Sequence, residues 1–184
     1  GVQKINEWVA QEYVNQRVTS ISNQEMVEMT KKHLPNLFSS ELEMLKSKAK
    51  DLAYDLILEV VKEADIISMD PKKQEPVLQR VVDNNPFIRL IYVTDISGKK
   101  ITKNVTQKSD RELYHKKFNE FGDFSDREWF VEVIQKKKVY FSDLYASKIT
   151  GLLCITVSTL IIGGQGDTVG VLGIDIKFDD LIKL

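Results

Sequence analysis

The chain has 184 residues, enough for one domain whose buried core needs no disulfide or metal ion to hold it together. Its 26 basic and 27 acidic residues leave a net charge of −1, which excludes the strong basic excess typical of a nucleic-acid-binding surface. The single cysteine, Cys154, excludes an internal disulfide and a multi-cysteine metal site, and its apolar surroundings predict a buried packing role.

The first half of the chain, residues 3–83, is predicted to be helical because apolar residues recur at three- and four-residue steps. Pro35 ends the first helical segment, so residues 1–38 are predicted to form a helical N-terminal extension. A break at residues 70–71 separates the long second helix from a shorter one that follows it.

The second helix is predicted to begin at an N-cap serine, Ser39 or Ser40, and to reach about Ala64. Its apolar stripe is formed by Leu42, Leu45, Ala49, Leu52, Leu56 and Val60. Such a stripe either covers the core of its own domain or pairs with a second copy of the chain, and the residues leave both alternatives open.

From Pro86 the apolar period changes to two, which is typical of strands. Short links between strands favour an antiparallel sheet. A helix is expected before the third strand, with Ser125 as N-cap and Glu128 completing a capping box. Five strands are predicted, at residues 87–94, 99–105, 139–145, 152–162 and 168–178. The predicted fold class is α+β, with the long N-terminal helix packed beside a PAS-like five-stranded antiparallel sheet.

Two residues near the start of that helix are candidates for anion binding. Arg127 carries a guanidinium that can hold a carboxylate through two hydrogen bonds, and the free N–H groups of a helix start favour an anion as well. Trp129 offers an aromatic wall and one N–H donor. The alternative interpretation is a surface arginine beside a core tryptophan.

Four segments resemble motifs of the Cache family of sensor domains, in the same order and with similar spacing. They are residues 95–99 (DISGK), 126–130 (DREWF), 140–145 (YFSDLY) and 170–175 (GVLGID). The resemblance covers about residues 39–184 and implies a single-Cache sensor domain. Members of this family are extracytoplasmic parts of bacterial transmembrane receptors, such as chemoreceptors, sensor kinases and cyclic-dinucleotide synthases. The resemblance therefore implies a periplasmic or extracellular domain of a membrane-anchored protein.

The resemblance also implies further binding residues. Tyr145 is similar to the strand tyrosine that contacts a ligand carboxylate, and Asp175 to the closing-strand aspartate that receives a ligand amine. Asp175 lies among apolar residues, where an unpaired carboxylate is costly, so a partner is expected; that partner is either a ligand or another part of the protein. Ser147 stands where amino-acid-binding members have a second aspartate, and Gly122 stands where they have an aromatic residue.

The expected ligand is therefore a small organic anion. A simple carboxylate is as good a candidate as an amino acid. No cofactor, metal site, catalytic residue or nucleic-acid partner is expected, and the chain is predicted not to be an enzyme. The competing function is a structural module that dimerises through residues 39–64 and binds no ligand.

Overall fold

The computed structural model describes residues 23–33, 40–112, 122–146 and 152–178. The helices in these ranges are α1 (Asn23–His33), α2 (Ser40–Val60), α3 (Ala64–Ile67), α4 (Pro71–Asn84) and α5 (Glu128–Lys136). The strands are β1 (Ile88–Asp95), β2 (Val105–Thr106), β3 (Tyr140–Phe141), β4 (Tyr145–Ala146), β5 (Leu153–Ile162) and β6 (Thr168–Lys177). The predicted fold class is confirmed, although this part of the chain holds six strands instead of the five expected.

The sheet is antiparallel throughout, in the order β2-β1-β6-β5-β3, and β4 pairs with β5 beside β3. The long strands β5 and β6 form its centre and match the predicted segments to within one residue. They form a hairpin, so β6 lies between β1 and β5.

Side-chain hydroxyls explain why the predicted strands at residues 99–105 and 139–145 differ from those of the structure. Thr102 accepts a hydrogen bond from the backbone N–H of Val93 at 2.9 Å, so the chain turns away from β1 before it can pair continuously. The Ser142 hydroxyl accepts the N–H of Thr156 at 2.8 Å in the same manner, which splits the predicted third strand into β3 and β4. Strand periodicity cannot reveal that a side-chain hydroxyl takes the place of a backbone group, because a serine or threonine is equally acceptable within a strand.

The long helix α2 ends at Val60, earlier than predicted, and is about 31 Å long at about 1.5 Å per residue. Two residues of its predicted stripe, Ala49 and Val60, lie in the main core against one sheet face, together with their neighbours Ala53 and Ile57. For these residues the core alternative is correct. Leu52 remains 39% exposed and Met44, a neighbour outside the stripe, 75% exposed.

The main core is completed by α3 and α4, which pack on the same sheet face as α2. Helix α4 is well started: the Asp70 side chain accepts the N–H of Lys72 at 3.0 Å, and Pro71 occupies the first helical position. Helix α5 packs on the opposite face, which is therefore the face nearest the candidate residues Arg127 and Trp129. None of the helices in the described ranges is long and apolar enough to cross a membrane.

Candidate functional site

The start of α5 differs from the predicted capping box. The helix begins at Glu128, and Arg127 itself occupies the N-cap position, where its carbonyl accepts the N–H groups of Phe130 and Val131. Ser125 lies before the helix, and its backbone N–H donates to Asp123 at 2.9 Å. The capping-box prediction is wrong because Asp123 forms a local turn with Ser125 instead. Arg127 is thus fixed by its backbone, while 22% of its side chain remains exposed.

Trp129 lies in the core between α5 and the sheet and is 5% exposed. Its ring meets that of Tyr92 edge-on with 5.2 Å between centroids, and lies 6.2 Å from that of Phe124. The Ser158 hydroxyl of β5 donates to the Trp129 carbonyl at 2.7 Å and so ties the first turn of α5 to the sheet. Because α5 is anchored at this point, the neighbouring Arg127 is held over the same sheet face.

Tyr145 and Asp175 lie on that sheet face and are connected through Thr156. The Tyr145 hydroxyl is 2.5 Å from the Thr156 hydroxyl, which donates to Asp175 at 2.8 Å. Threonine has one hydroxyl proton, and that proton points to the carboxylate, so the Tyr145 hydroxyl must be the donor to Thr156. The three groups therefore form a directed chain that ends at the Asp175 carboxylate.

Tyr92 is a residue of this face that the sequence did not single out. Its ring lies over Gly173, where any added Cβ would overlap the ring and the hydroxyl. Burial raises the pKa of the Tyr92 phenol well above its usual value; the Asp175 carboxylate raises it further and the Arg127 guanidinium lowers it. Of these two charges, Asp175 has the larger effect on the Tyr92 phenol.

A buried lysine, Lys100, was also missed. Its Nζ lies 4.4 Å from the ring centroid of Tyr92 and 4.5 Å from that of Phe124, and it donates to the Asn104 side chain at 2.5 Å. The Arg127 guanidinium lies 5.9 Å from the centroid of the same Phe124 ring. Two cations thus lie near one aromatic ring, and one carboxylate, that of Asp126, lies 3.9 Å from the Arg127 Nε. The excess of positive charge makes this end of the face favourable to an anion.

Cys154 is buried, as predicted, and neighbours Tyr145 on the paired strand. Burial raises the pKa of the Cys154 thiol to about 12; Asp175 raises it and the buried Arg89 lowers it. The thiol therefore stays protonated at neutral pH and is not a nucleophile there.

The structure thus places four of the five predicted binding residues around one sheet face. Arg127 and Trp129 approach it from α5, and Tyr145 and Asp175 lie on its strands. The fifth, Ser147, lies outside the described residues. Neither Tyr92 nor Lys100 could be found from the sequence, because strand alternation says which residues share a face but not which face meets α5.

A separate cleft of about 250 Å³ lies between α1 and α5, at the β3 edge of the sheet. Its lining includes the carboxylates of Glu28, Glu128 and Asp143. Burial raises the pKa of the nearby Tyr140 phenol, and the charge of Glu128 raises it further. Three carboxylates make this cleft unfavourable to an anion, in contrast to the side of α5 that carries Arg127.

The chain has been compared with families and structures of known proteins. The family model described as "methyl-accepting chemotaxis protein-like, first PDC sensor domain" matches residues 74–183. The ligand-binding domain of the Campylobacter jejuni chemoreceptor Tlp3, in complex with L-valine, superposes with a TM-score of 0.55 at 20% identity, over 89% of this chain and 66% of that one. That of the Pseudomonas fluorescens chemoreceptor CtaA, in complex with L-isoleucine, gives 0.54 at 19% identity, over 85% and 61%. At these identities the likeness concerns the fold.

A curated protein is closer in sequence. The citrate (Re)-synthase of Syntrophus aciditrophicus (strain SB) is 42% identical over 183 residues, which is 100% of this chain and 29% of that protein. The prediction that the chain is not an enzyme is contradicted by this relative, which bears the name of an enzyme and matches from end to end. The motifs of the chain give no sign of this relationship, because they are those of a sensor domain and not of an active site.

Proposed function

This chain belongs to the family of methyl-accepting chemotaxis protein-like first PDC sensor domains, and from that premise we propose that it binds a small organic anion, either a simple carboxylate or an amino acid. The proposed binding residues are Arg127, Trp129, Tyr145, Ser147 and Asp175. It is a sensor domain of the Cache type, and the proposal adds the class of ligand and the protein that the domain serves.

The proposal is supported by a guanidinium and a carboxylate that both lie around one sheet face. Arg127 is fixed at the start of α5, and Asp175 ends the hydrogen-bonded chain from Tyr145 through Thr156. A carboxylate suits the guanidinium, and an ammonium or hydroxyl group suits the aspartate. The Tlp3 and CtaA domains, which share the fold, have L-valine and L-isoleucine bound.

The proposed setting is the extracytoplasmic part of a membrane-anchored bacterial receptor, such as a chemoreceptor, sensor kinase or cyclic-dinucleotide synthase. A ligand that binds one arrangement of the sheet and α5 more tightly than another shifts the equilibrium between them. The typical coupling of about 1–3 kcal/mol is enough to change receptor output by at least several-fold.

Calorimetric titration tests this function directly, with the proteinogenic amino acids and the corresponding carboxylates that lack the amino group. We expect at least one of them to bind, and we expect Arg127→Ala to weaken that binding by more than about 2 kcal/mol, because a buried ligand carboxylate would lose its charge partner.

The matched control is Arg80→Ala. Arg80 pairs with Glu63 on the far side of the sheet, so its loss is expected to leave the affinity unchanged. Absence of binding by every compound, or an Arg127→Ala variant that is folded and binds as tightly as the wild type, would contradict the proposal.

A second candidate function follows from the 42% identity to citrate (Re)-synthase. In that case the chain is a ligand-binding portion of a larger enzyme, and the bound carboxylate is an effector of that enzyme. The test is to assay the full-length protein for citrate formation with and without the carboxylate that binds this domain. A change in rate favours this candidate, whereas a protein with no such activity and a membrane anchor favours the receptor.

A further inference from the structure

Tyr92 is held more rigidly than a surface tyrosine would be. Its ring lies over Gly173 of the neighbouring strand, meets the Trp129 ring edge-on, and receives the Lys100 ammonium on its face. With 4% of the residue exposed, the ring has little freedom to move. Its hydroxyl therefore has a defined position on the sheet face.

That hydroxyl has no hydrogen-bond partner among the residues that the structure describes. Tyr92 keeps 4% of its surface exposed, and its oxygen is not one of the fully buried, unpartnered side-chain atoms in the described residues. A largely buried phenol with an unused proton is uncommon, because most buried tyrosine hydroxyls find a partner.

The other tyrosine of the face differs in this respect. Tyr145 donates its proton to Thr156, which donates in turn to Asp175. A ligand carboxylate accepts hydrogen bonds and cannot donate them. The Tyr145 hydroxyl proton is already used in the bond to Thr156, so it is not available to such a carboxylate. A carboxylate contact by Tyr145 would therefore require its hydrogen bond to Thr156 to break.

We propose that the Tyr92 hydroxyl donates a hydrogen bond to the ligand's carboxylate beside Arg127, and that Tyr145 serves instead to orient Asp175. This inference rests on the proposed function, since it names a further contact in the same site. It divides the site in two: Arg127 and Tyr92 bind the carboxylate, and Asp175 binds a donor group such as an ammonium or hydroxyl. Of the two ligand classes proposed above, it favours acids that carry a donor group over simple carboxylates.

The test is the Tyr92→Phe variant, titrated with L-valine and with 3-methylbutanoate, which has the same skeleton without the ammonium group. Because both probes carry a carboxylate, we expect Tyr92→Phe to weaken both by about tenfold, in keeping with the loss of one hydrogen bond to a charged group. The control is Tyr54→Phe, since Tyr54 is exposed on α2 and lies on the other side of the sheet. It should leave both affinities unchanged.

Thermal unfolding without ligand gives a second readout. Tyr92→Phe should melt at the wild-type temperature because its hydroxyl gives up no internal hydrogen bond, whereas Tyr145→Phe should melt lower. A Tyr92→Phe variant that binds both probes like the wild type, or that melts as low as Tyr145→Phe, would overturn the inference while leaving the proposed function intact. Failure of the wild-type protein to bind either probe would contradict the proposed function for this ligand pair and remove the Tyr92 contact with it.

Discussion

At the scale of single residues, the direction of each hydrogen bond matters as much as its length. The 2.5 Å and 2.8 Å contacts of Thr156 are both short, but only one arrangement of protons satisfies them. In that arrangement the Asp175 carboxylate is the final acceptor. Tyr145 thus acts on the carboxylate through Thr156, and a ligand that brings a donor suits this acceptor.

Replacing Asp175 with asparagine tests this orientation. The amide keeps an oxygen for Thr156 but loses the charge, so Asp175→Asn should weaken binding of L-valine at least tenfold, or about 1.4 kcal/mol. The affinity of this variant for 3-methylbutanoate should be unchanged or slightly higher, because the wild-type carboxylate repels the carboxylate of the ligand. Calorimetry on both probes measures this difference.

The companion variant is Ser147→Asp, which introduces the aspartate that amino-acid-binding members of the Cache family have at the matching position. It should shift preference toward L-valine. If Asp175→Asn leaves both affinities unchanged, Asp175 is a structural residue and the donor-binding end of the site is elsewhere.

At the scale of elements, a buried lysine joins α2 to the β3–β4 segment. The side chain of Lys46 is 3% exposed and its Nζ lies 2.8 Å from both Glu43 and Asp143. Burial lowers the pKa of Lys46, but the hydrogen bonds to Asp143 and Glu43 outweigh it and leave the pKa above its usual 10.5. The long helix is thus connected by charge to the strand pair that carries Tyr145.

We expect Asp143→Asn to lower the free energy of unfolding at pH 7 by about 1–2 kcal/mol, because the buried ammonium loses a charged acceptor. Glu43→Gln, at a more exposed position on the same helix, should cost under about 1 kcal/mol. A group whose folded pKa is raised contributes its stability below the unfolded pKa and loses it as pH rises through the folded value. The cost of Asp143→Asn should therefore be full at pH 7 and decline above about pH 10.5, as urea unfolding at several pH values can measure. Equal costs for the two variants would contradict this.

The elements that were predicted well are those set by long apolar periods. Residues 152–162 and 168–178 alternate or are continuously apolar over ten residues, so β5 and β6 were predictable. The edges were not, because a hydroxyl of Thr102 or Ser142 takes the place of a backbone group there. The end of the long helix at Val60 was also not predictable, because no proline or glycine lies near it.

The site was predictable only in part. Resemblance singled out Arg127 and Asp175 from their motifs, and the structure places both around one sheet face. Tyr92 carried no motif, and its importance depends on a close contact with Gly173 that is remote in sequence. Long-range contacts of this kind are set by strand register, which a single sequence does not determine.

At the scale of the whole molecule, α2 leaves part of its surface uncovered. Met44 is 75% exposed and Leu52 39% exposed, two turns apart on the helix, while Tyr54 is 44% exposed. Singly exposed apolar residues are ordinary on a protein surface. Two on one helix face, however, keep open the proposal that the domain forms a homodimer through its long helix.

Such a dimer is expected to be weak, forming at concentrations of roughly several hundred micromolar, because few apolar residues would be buried in it. Sedimentation at rising concentration should show association of the wild type, and a Met44→Lys, Leu52→Lys double variant should remain a monomer. The control is Ile162→Lys, an exposed isoleucine at the β5–β6 turn. A wild-type protein that stays monomeric throughout removes the proposal.

The contact between Tyr92 and Gly173 also has an evolutionary consequence. Since no side chain fits at position 173 while a six-membered ring lies above it, Gly173 can be replaced only where that ring has been lost. A relative with alanine or a larger residue at the position of Gly173 should have lost the aromatic ring at the position of Tyr92. Paired substitution at these two places would therefore mark, across a lineage, the point at which this part of the sheet face was rebuilt.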